Sequence, residues 1–438
     1  MNNTIFINSK INSFNKTIYI SGDKSLSIRW ALMASIAIGK SRAFNLLNSD
    51  DVKSTIKILR QLGVNIFKNK NYCEINGRGI DGFKFKKNLQ LNAGNSGTLA
   101  RLIAGLLIRS PYKIKLIGDK SLSRRDFKRV IEPLKKFGAT FYPKNRYCLP
   151  LYIKGTEYIR PINYEEKKGS AQCKSLVMLA SLLSPGTTKI KAKKSRNHTE
   201  ILFKKLNIPI KIKSLKNYDF IEVSSSNIDC LNYKIPGDIS SSAFFIVLTL
   251  LSKNSKLIIK NVNINPTRVG VIKILNKMGA KIKFKNLKIY MGEKIADIHV
   301  KSCNKFKSIN CSPVLNSSAI DEFLIIFLVS AKASGTSTFR KLGELNQKES
   351  PRLNIGSKIL NQMGIKTILK KDSIKIIGNP NLNLDKSFKI KNFYKDHRVF
   401  MMCVIAALVF GGKWRINDKD SINSSFPDFL NKIKILKK

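Results

Sequence analysis

Acids are scarce in this chain. Against 80 lysines and arginines stand 28 aspartates and glutamates, a net charge of +52 over 438 residues. Histidine occurs three times and tryptophan twice. A carboxylate or imidazole at the start of an apolar segment is therefore conspicuous. The seven cysteines (73, 148, 173, 230, 303, 311 and 403) are odd in number, scattered and never spaced C-x-x-C. That speaks against a disulfide framework or a cysteine zinc site and for a reducing compartment. Long apolar runs are missing as well. The longest, 243–251 and 399–410, are about half a membrane span. No apolar signal core precedes a small-residue cleavage site near the start; Ile5-Phe6-Ile7 and Thr17-Ile18-Tyr19-Ile20 read as strands instead. The expectation is a cytoplasmic protein with no membrane partner.

The excess of positive charge has two readings. Binding to nucleic acid would need the cations clustered and interleaved with aromatics. Here lysine is spread over nearly every segment, in company with asparagine and isoleucine, the pattern of composition drift in an A+T-rich genome. Either way the field favours small anionic ligands and speeds their arrival. The hydrophobic content of 43% supports a large core, and the length suits two domains.

The chain repeats itself. An apolar helix ending in Gly or Asn and followed by a strand recurs with its cap at Gly63, Gly138, Asn207, Gly279 and Gly364, and 429–433 begins a truncated sixth copy. The capping residue supplies the left-handed conformation that ends a helix. Small-residue turns at 39–41, 110–111, 184–186, 252–254, 334–335 and 411–412 mark the same place in each copy. Six α/β units of one design imply two lobes of three units each. Lys234-Ile235-Pro236-Gly237 reads as the hinge. The expected boundaries are 21–236 for the first lobe and 1–20 with 237–438 for the second, the first strands crossing over to complete the latter.

The unusual residues lie in polar loops that open helices. Gly22-Asp23-Lys24-Ser25-Leu26-Ser27-Ile28-Arg29 gathers two cations and two hydroxyls at the mouth of a helix expected to begin near Ser27. Free N–H groups and the dipole at a helix start attract anions. Asn92-Ala93-Gly94-Asn95-Ser96-Gly97-Thr98 lets backbone approach a ligand closely. Ser123-Arg124-Arg125-Asp126, Ser170-Ala171-Gln172-Cys173-Lys174-Ser175, Ser195-Arg196-Asn197-His198-Thr199-Glu200, Asn265-Pro266-Thr267-Arg268, Ala319-Ile320-Asp321-Glu322-Phe323, Lys348-Glu349-Ser350-Pro351-Arg352 and Asp396-His397-Arg398 complete the set. Read singly, each is equally a solvated or capped helix start. Read together they recur at corresponding places in successive repeats.

In their order and spacing these loops resemble the enolpyruvyl transferases, and within them the branch that acts on shikimate-3-phosphate. The resemblance runs from Lys24 to the Ser425-Phe426-Pro427-Asp428 segment. It implies an α/β fold of two similar lobes, each of three βαβαββ units about a pseudo-threefold axis, an inside-out α/β barrel. It also implies roles. Lys24, Ser25, Arg29, Ser170, Ala171, Gln172, Ser195, Arg196, Asp321 and Lys348 would hold shikimate-3-phosphate. Lys24, Asn95, Gly97, Thr98, Arg125, Gln172, Arg352 and Arg398 would hold phosphoenolpyruvate. Asp321 is the expected base for the attacking hydroxyl and Glu349 the proton donor to the enol methylene. Lys24 touches both substrates, and His397 supports the second half of the reaction.

The implied chemistry explains the residue types. The 5-hydroxyl of the acceptor adds to C2 of the enolpyruvyl group while C3 takes a proton; loss of phosphate then yields the enol ether. Proton traffic in both directions needs a positioned acid and base. Several substrate charges meet in one place, expected to be an interlobe cleft that closes on binding, so cations must neutralise them. Guanidinium forks suit phosphate and carboxylate. No cofactor or metal is expected, and a monomer without a nucleic-acid partner is.

Two positions depart from the family pattern: Asp126 where proline is usual after the arginine, and Pro351 where aspartate is usual. Ser424 occupies the place of a lysine found in some members, so no ligand role is given to it. Gly97, small where alanine would crowd, leaves room for glyphosate beside phosphoenolpyruvate. Two alternatives stay in view. A UDP-N-acetylglucosamine enolpyruvyl transferase would carry Lys-Asn where Lys24-Ser25 stands and a cysteine in the 110–126 stretch. A basic nucleic-acid-binding protein would need no Asp321.

Overall fold

The structure is a computed structural model that describes residues 3–144 and 146–437. The chain divides into two compact units. The first contains Gly22–Ile235 and the turn Tyr290–Glu293; the second contains Met1–Ser21, Pro236–Ile289 and Lys294–Lys438.

The first unit holds helices α1 (Lys24–Ile36), α2 (Asp50–Gln61), α3 (Gly97–Leu106), α4 (Lys128–Lys136), α5 (Ala171–Ser181) and α6 (His198–Lys205). Three of them are buried nearly all round: α1 is buried at every residue from Leu26 to Ile36, and α3 and α5 are buried at almost every position. A helix apolar on all sides belongs in a core, and α3 packs against both α1 and α5. The partners α2 and α4 bury one stripe each, such as Val130, Ile131, Pro133 and Leu134 of α4. Three four-stranded sheets lie outside these helices.

One design recurs in these sheets. Strand Gln90–Asn92 leads through α3 to the parallel strand Ile114–Ile117, then through α4 to the antiparallel hairpin Thr140–Tyr142 and Leu151–Lys154. Strand Asn163–Glu166, α5, strand Thr187–Lys193, α6 and the hairpin Ile210–Ser214 and Tyr218–Ser224 repeat it in the same order. This is the βαβαββ unit that the family resemblance implies, and it agrees with the α/β repeat read from the sequence.

The second unit holds α7 (Ile239–Leu251), α8 (Gly270–Lys277), α9 (Asn316–Ala319), α10 (Phe323–Lys332), α11 (Arg352–Gln362), α12 (His397–Phe410) and α13 (Phe429–Lys437). Here α7, α10 and α12 are the buried set and pack pairwise. One four-stranded and two three-stranded sheets surround them.

Two edge strands are exchanged along the chain. Asn15–Tyr19 precedes α1 in sequence but runs parallel to Lys256–Asn263 in the second unit. Tyr233–Lys234 precedes α7 but runs parallel to Ile38–Phe44 in the first. The five helix caps read from the sequence all have positive φ: Gly63 83°, Gly138 109°, Asn207 55°, Gly279 102° and Gly364 79°. One boundary differs from expectation. The first helix begins at Lys24, not near Ser27, because the Asp23 side chain accepts the N–H of Leu26 and so caps the helix three residues earlier.

Candidate active site

In each unit the chemistry-bearing residues sit at or just before helix N-termini, those of the three buried helices and of the helices beside them. The caps are Asp23 for α1, Ser96 for α3, Ser170 for α5, Asp238 for α7 and Asp396 for α12, each accepting a backbone N–H of its first turn. Glu322 precedes α10.

In the first unit Lys24 Nζ lies 3.0 Å from Asp51 at the start of α2. Arg29 is buried, and its guanidinium donates to Thr199 Oγ1 at 2.8 Å and Ser175 Oγ at 3.1 Å. It also donates to the carbonyl of Ser25 at 3.2 Å. The first turns of α1, α5 and α6 are thereby joined. Ser195 and Arg196 precede α6. The Ser195 hydroxyl is buried and has no hydrogen-bond partner among the described residues. Ser170 caps α5 through Cys173 N–H and donates its own N–H to Glu166 at 2.8 Å, with Ala171 as first helical residue.

A second group links α3 to α5. Gln172 donates to Thr98 Oγ1 at 2.9 Å and accepts from Arg101 at 2.6 Å. Asn95 accepts from Arg125 at 3.2 Å and donates to Asp119 at 2.6 Å. Gly97 lies directly beneath the arginines: an added Cβ would be 2.8 Å from Arg125 Nη1 and 3.0 Å from Arg101 Nη1. Asp126 is exposed, and its carboxylate accepts the N–H of Lys128 at 2.7 Å. The acid is thus engaged with the start of α4.

In the second unit Asp321 Oδ1 is 3.4 Å from Lys348 Nζ and 3.4 Å from Arg352 Nη1. Arg352 is buried and grips Asp396 with two nitrogens, at 2.8 and 3.2 Å, while its Nη2 donates to Glu349. Ser350 donates to Asp396 at 2.7 Å. Burial opposes the Arg352 charge, yet Asp396, Glu349 and Asp321 together hold its pKa above the ordinary value. Burial likewise opposes the charge of Asp396, and the adjoining Arg352 overrides it and holds the carboxyl below the usual range. Pro351 fits this turn without strain: its φ of −72° is the ring's own value, and its carbonyl accepts the N–H of Ile355. His397 is buried with Nδ1 3.3 Å from Ser424 Oγ. Arg398 Nη1 is 3.9 Å from Glu322.

The residues expected from the sequence thus lie at helix starts of both units, and contacts join several of them within each unit. Four partners had gone unassigned. Asp51, Asp119 and Arg101 are set by contacts that only the folded chain brings about. Asp396 stood in a quoted motif, but its hold on Arg352 joins positions 44 residues apart. A rule that buried cations require carboxylates would have pointed to Asp396 as the partner of the buried Arg352.

A family model for EPSP synthase (3-phosphoshikimate 1-carboxyvinyltransferase) matches residues 9–433. The chain is 37% identical over 420 residues to the 3-phosphoshikimate 1-carboxyvinyltransferase of Petrotoga mobilis, covering 95% of this chain and 96% of that one. It is 38% identical over 431 residues to the protein of that name from Oceanobacillus iheyensis, covering 97% of each. Among solved structures, EPSP synthase from Acinetobacter baumannii matches with a TM-score of 0.86 at 32% identity, over 99% of this chain and 98% of that one. The enolpyruvyl transferase NikO from Streptomyces tendae shares the fold, with a TM-score of 0.77 at 14% identity over 100% and 98% of the two chains.

Proposed function

The chain belongs to the EPSP synthase (3-phosphoshikimate 1-carboxyvinyltransferase) family, and from that premise we infer both its reaction and a division of labour among its residues. It transfers the enolpyruvyl group of phosphoenolpyruvate to the 5-hydroxyl of shikimate-3-phosphate and releases phosphate. The reaction belongs to the shikimate pathway, which leads through chorismate to the aromatic amino acids. Neither a UDP-N-acetylglucosamine enolpyruvyl transferase nor a nucleic-acid-binding protein is favoured.

The proposed roles follow the charges. Lys24, Ser25, Arg29, Ser170, Ala171, Gln172, Ser195 and Arg196 hold shikimate-3-phosphate, with Asp321 and Lys348 on its hydroxyls. The buried Ser195 hydroxyl supports this, since a phosphate oxygen would satisfy it. Lys24, Asn95, Gly97, Thr98, Gln172, Arg125, Arg352 and Arg398 hold phosphoenolpyruvate. Fixing both substrates in attack geometry contributes up to roughly 7–11 kcal/mol in favourable cases.

Asp321 takes the proton of the 5-hydroxyl as its oxygen bonds to C2, and Glu349 delivers a proton to C3. In the second step the C2–O bond to phosphate breaks, a C3 proton returns to a carboxylate, and His397 supports the departure. Arg352 organises both carboxylates, since it touches Asp321 and Glu349 at once. The observation that carries this assignment is the position of Asp321, 3.4 Å from both Lys348 Nζ and Arg352 Nη1. Contacts at that range fix where the carboxylate points.

Phosphate release from the two substrates tests it. Asp321→Ala is expected to lower kcat by about 10²–10⁴-fold with folding intact. An unchanged rate would remove Asp321 from the mechanism. We further propose a cytoplasmic monomer without a nucleic-acid partner. No helix among the described residues is long and apolar enough to cross a membrane.

A further inference from the structure

The Asn265-Pro266-Thr267-Arg268 loop has no part in the roles above. It links the strand Lys256–Asn263 to α8. Asn263 accepts the N–H of Asn265 at 2.8 Å, and Asn265 in turn accepts the N–H and hydroxyl of Thr267 at 2.8 and 2.7 Å. These turns deliver Arg268 into the core, where it is 2% exposed. Its Nη2 donates to Ser240 Oγ at 2.7 Å and lies 3.2 Å from Asp238 Oδ1. Ser240 donates onward to Glu322, which is 1% exposed. Arg398 Nη1 lies 3.9 Å from the same carboxylate oxygen that accepts from Ser240.

We propose that Arg268 is a positioning residue for phosphoenolpyruvate binding: by balancing Asp238 and Glu322 it leaves Arg398 available to the substrate. The inference rests on the reading of Arg398 as a phosphoenolpyruvate ligand. Two buried carboxylates and two guanidinium groups share this corner of the second unit. A buried charge demands a counter-charge. With Arg268 in place, Asp238 is paired and Ser240 fixes Glu322 through a hydrogen bond. Without it, two carboxylates compete for one cation. Arg398, already 3.9 Å from Glu322, is drawn into direct contact with it and away from an incoming anion. The cost falls on the substrate that Arg398 grips and spares the other.

Steady-state kinetics on the full chain read this directly. Arg268→Met is expected to raise KM for phosphoenolpyruvate about tenfold or more and to leave KM for shikimate-3-phosphate and kcat within about twofold. Arg268→Lys, which keeps the charge, is expected to show a smaller rise. In a Glu322→Gln background the carboxylate within 4 Å of Arg398 is gone, so adding Arg268→Met is expected to change KM for phosphoenolpyruvate by less than about twofold, a non-additive cycle. A rise of equal size in both backgrounds, or both KM values and kcat worsening together, would show a structural role and overturn the proposal. If Arg268→Met does not fold, the comparison of Arg268→Lys in the two backgrounds decides by the same criterion. Arg398→Gln separates this inference from its premise. If it leaves phosphoenolpyruvate affinity unchanged, the reading of Arg398 fails; if it weakens that affinity while Arg268→Met does not, only the role of Arg268 falls.

Discussion

A single methyl group is enough to probe the first unit's half of the chemistry. Gly97 has Arg125 and Arg101 at its back, so Gly97→Ala places a Cβ 2.8 Å from one guanidinium and 3.0 Å from the other. The side chains are flexible and will give way, but a ligand held by the displaced fork loses its geometry. KM for phosphoenolpyruvate is expected to rise roughly tenfold while KM for shikimate-3-phosphate holds steady; equal change in both would refute the placement. The same methyl group would take up the room expected for glyphosate. Asp396 probes the second unit. Its folded carboxyl titrates below the usual range, burial notwithstanding, because Arg352 is beside it. The stability it contributes is fully present above the ordinary aspartate pKa of about 3.9 and is lost as pH falls through the lower folded value. Asp396→Asn is therefore expected to lower the urea midpoint at pH 7 and to flatten its decline below about pH 4. A decline as steep as in the unmodified chain would count against it. These two positions also mark what was legible. Gly97, Arg352 and Asp396 all stood in quoted motifs, because helix starts advertise themselves locally. That three carboxylates gather on Arg352 was not legible, because the pairing of 352 with 396 and 321 belongs to tertiary structure.

Secondary-structure elements carried most of the readable information. The repeat was found through its C-terminal caps, and all five have the left-handed backbone that the reading requires. Asn207 is the revealing one, at φ 55° and exposed. A left-handed residue with a Cβ costs about 1–2 kcal/mol unless its side chain bonds locally. Asn207→Ala is accordingly expected to destabilise the chain by about 1 kcal/mol and Asn207→Gly to be neutral or mildly stabilising, as read from urea unfolding. The opposite order would mean that the side chain, and not the backbone, fixes that helix end. Helix starts were less legible: α1 was expected to begin near Ser27, and the Asp23 cap starts it at Lys24. Strands explain the lysines. In Thr187–Lys193 the buried positions are Thr188, Ile190 and Ala192, and Lys189, Lys191 and Lys193 face solvent. Lys375 stands out between the buried Ile374 and Ile376 in the same way. Lysine fills the polar half of the period-2 alternation, where any polar residue would serve.

That distribution decides what the net charge of +52 does for the whole molecule. Charge spread over the outer faces of such strands contributes to a broad positive field. Small anions feel such a field at long range, and salt screens it with a Debye length of about 10 Å at 0.1 M. The bond-making steps involve the partly buried Asp321 and Glu349, which salt screens less than it screens exposed charges. Raising KCl from about 0.02 to 0.3 M is therefore expected to lower kcat/KM for both substrates several-fold and to leave kcat nearly constant. A single-stranded oligonucleotide, followed by fluorescence anisotropy, is expected to bind only in the non-specific range of about 10⁻⁴–10⁻⁶ M at 0.15 M salt and not to slow phosphate release. Sub-micromolar affinity at that salt, together with inhibition of phosphate release, would mean that the cations converge on a polyanion track and that the lysines were selected for it. A kcat that falls in step with kcat/KM would mean instead that salt reaches the reacting groups themselves, which their partial burial opposes.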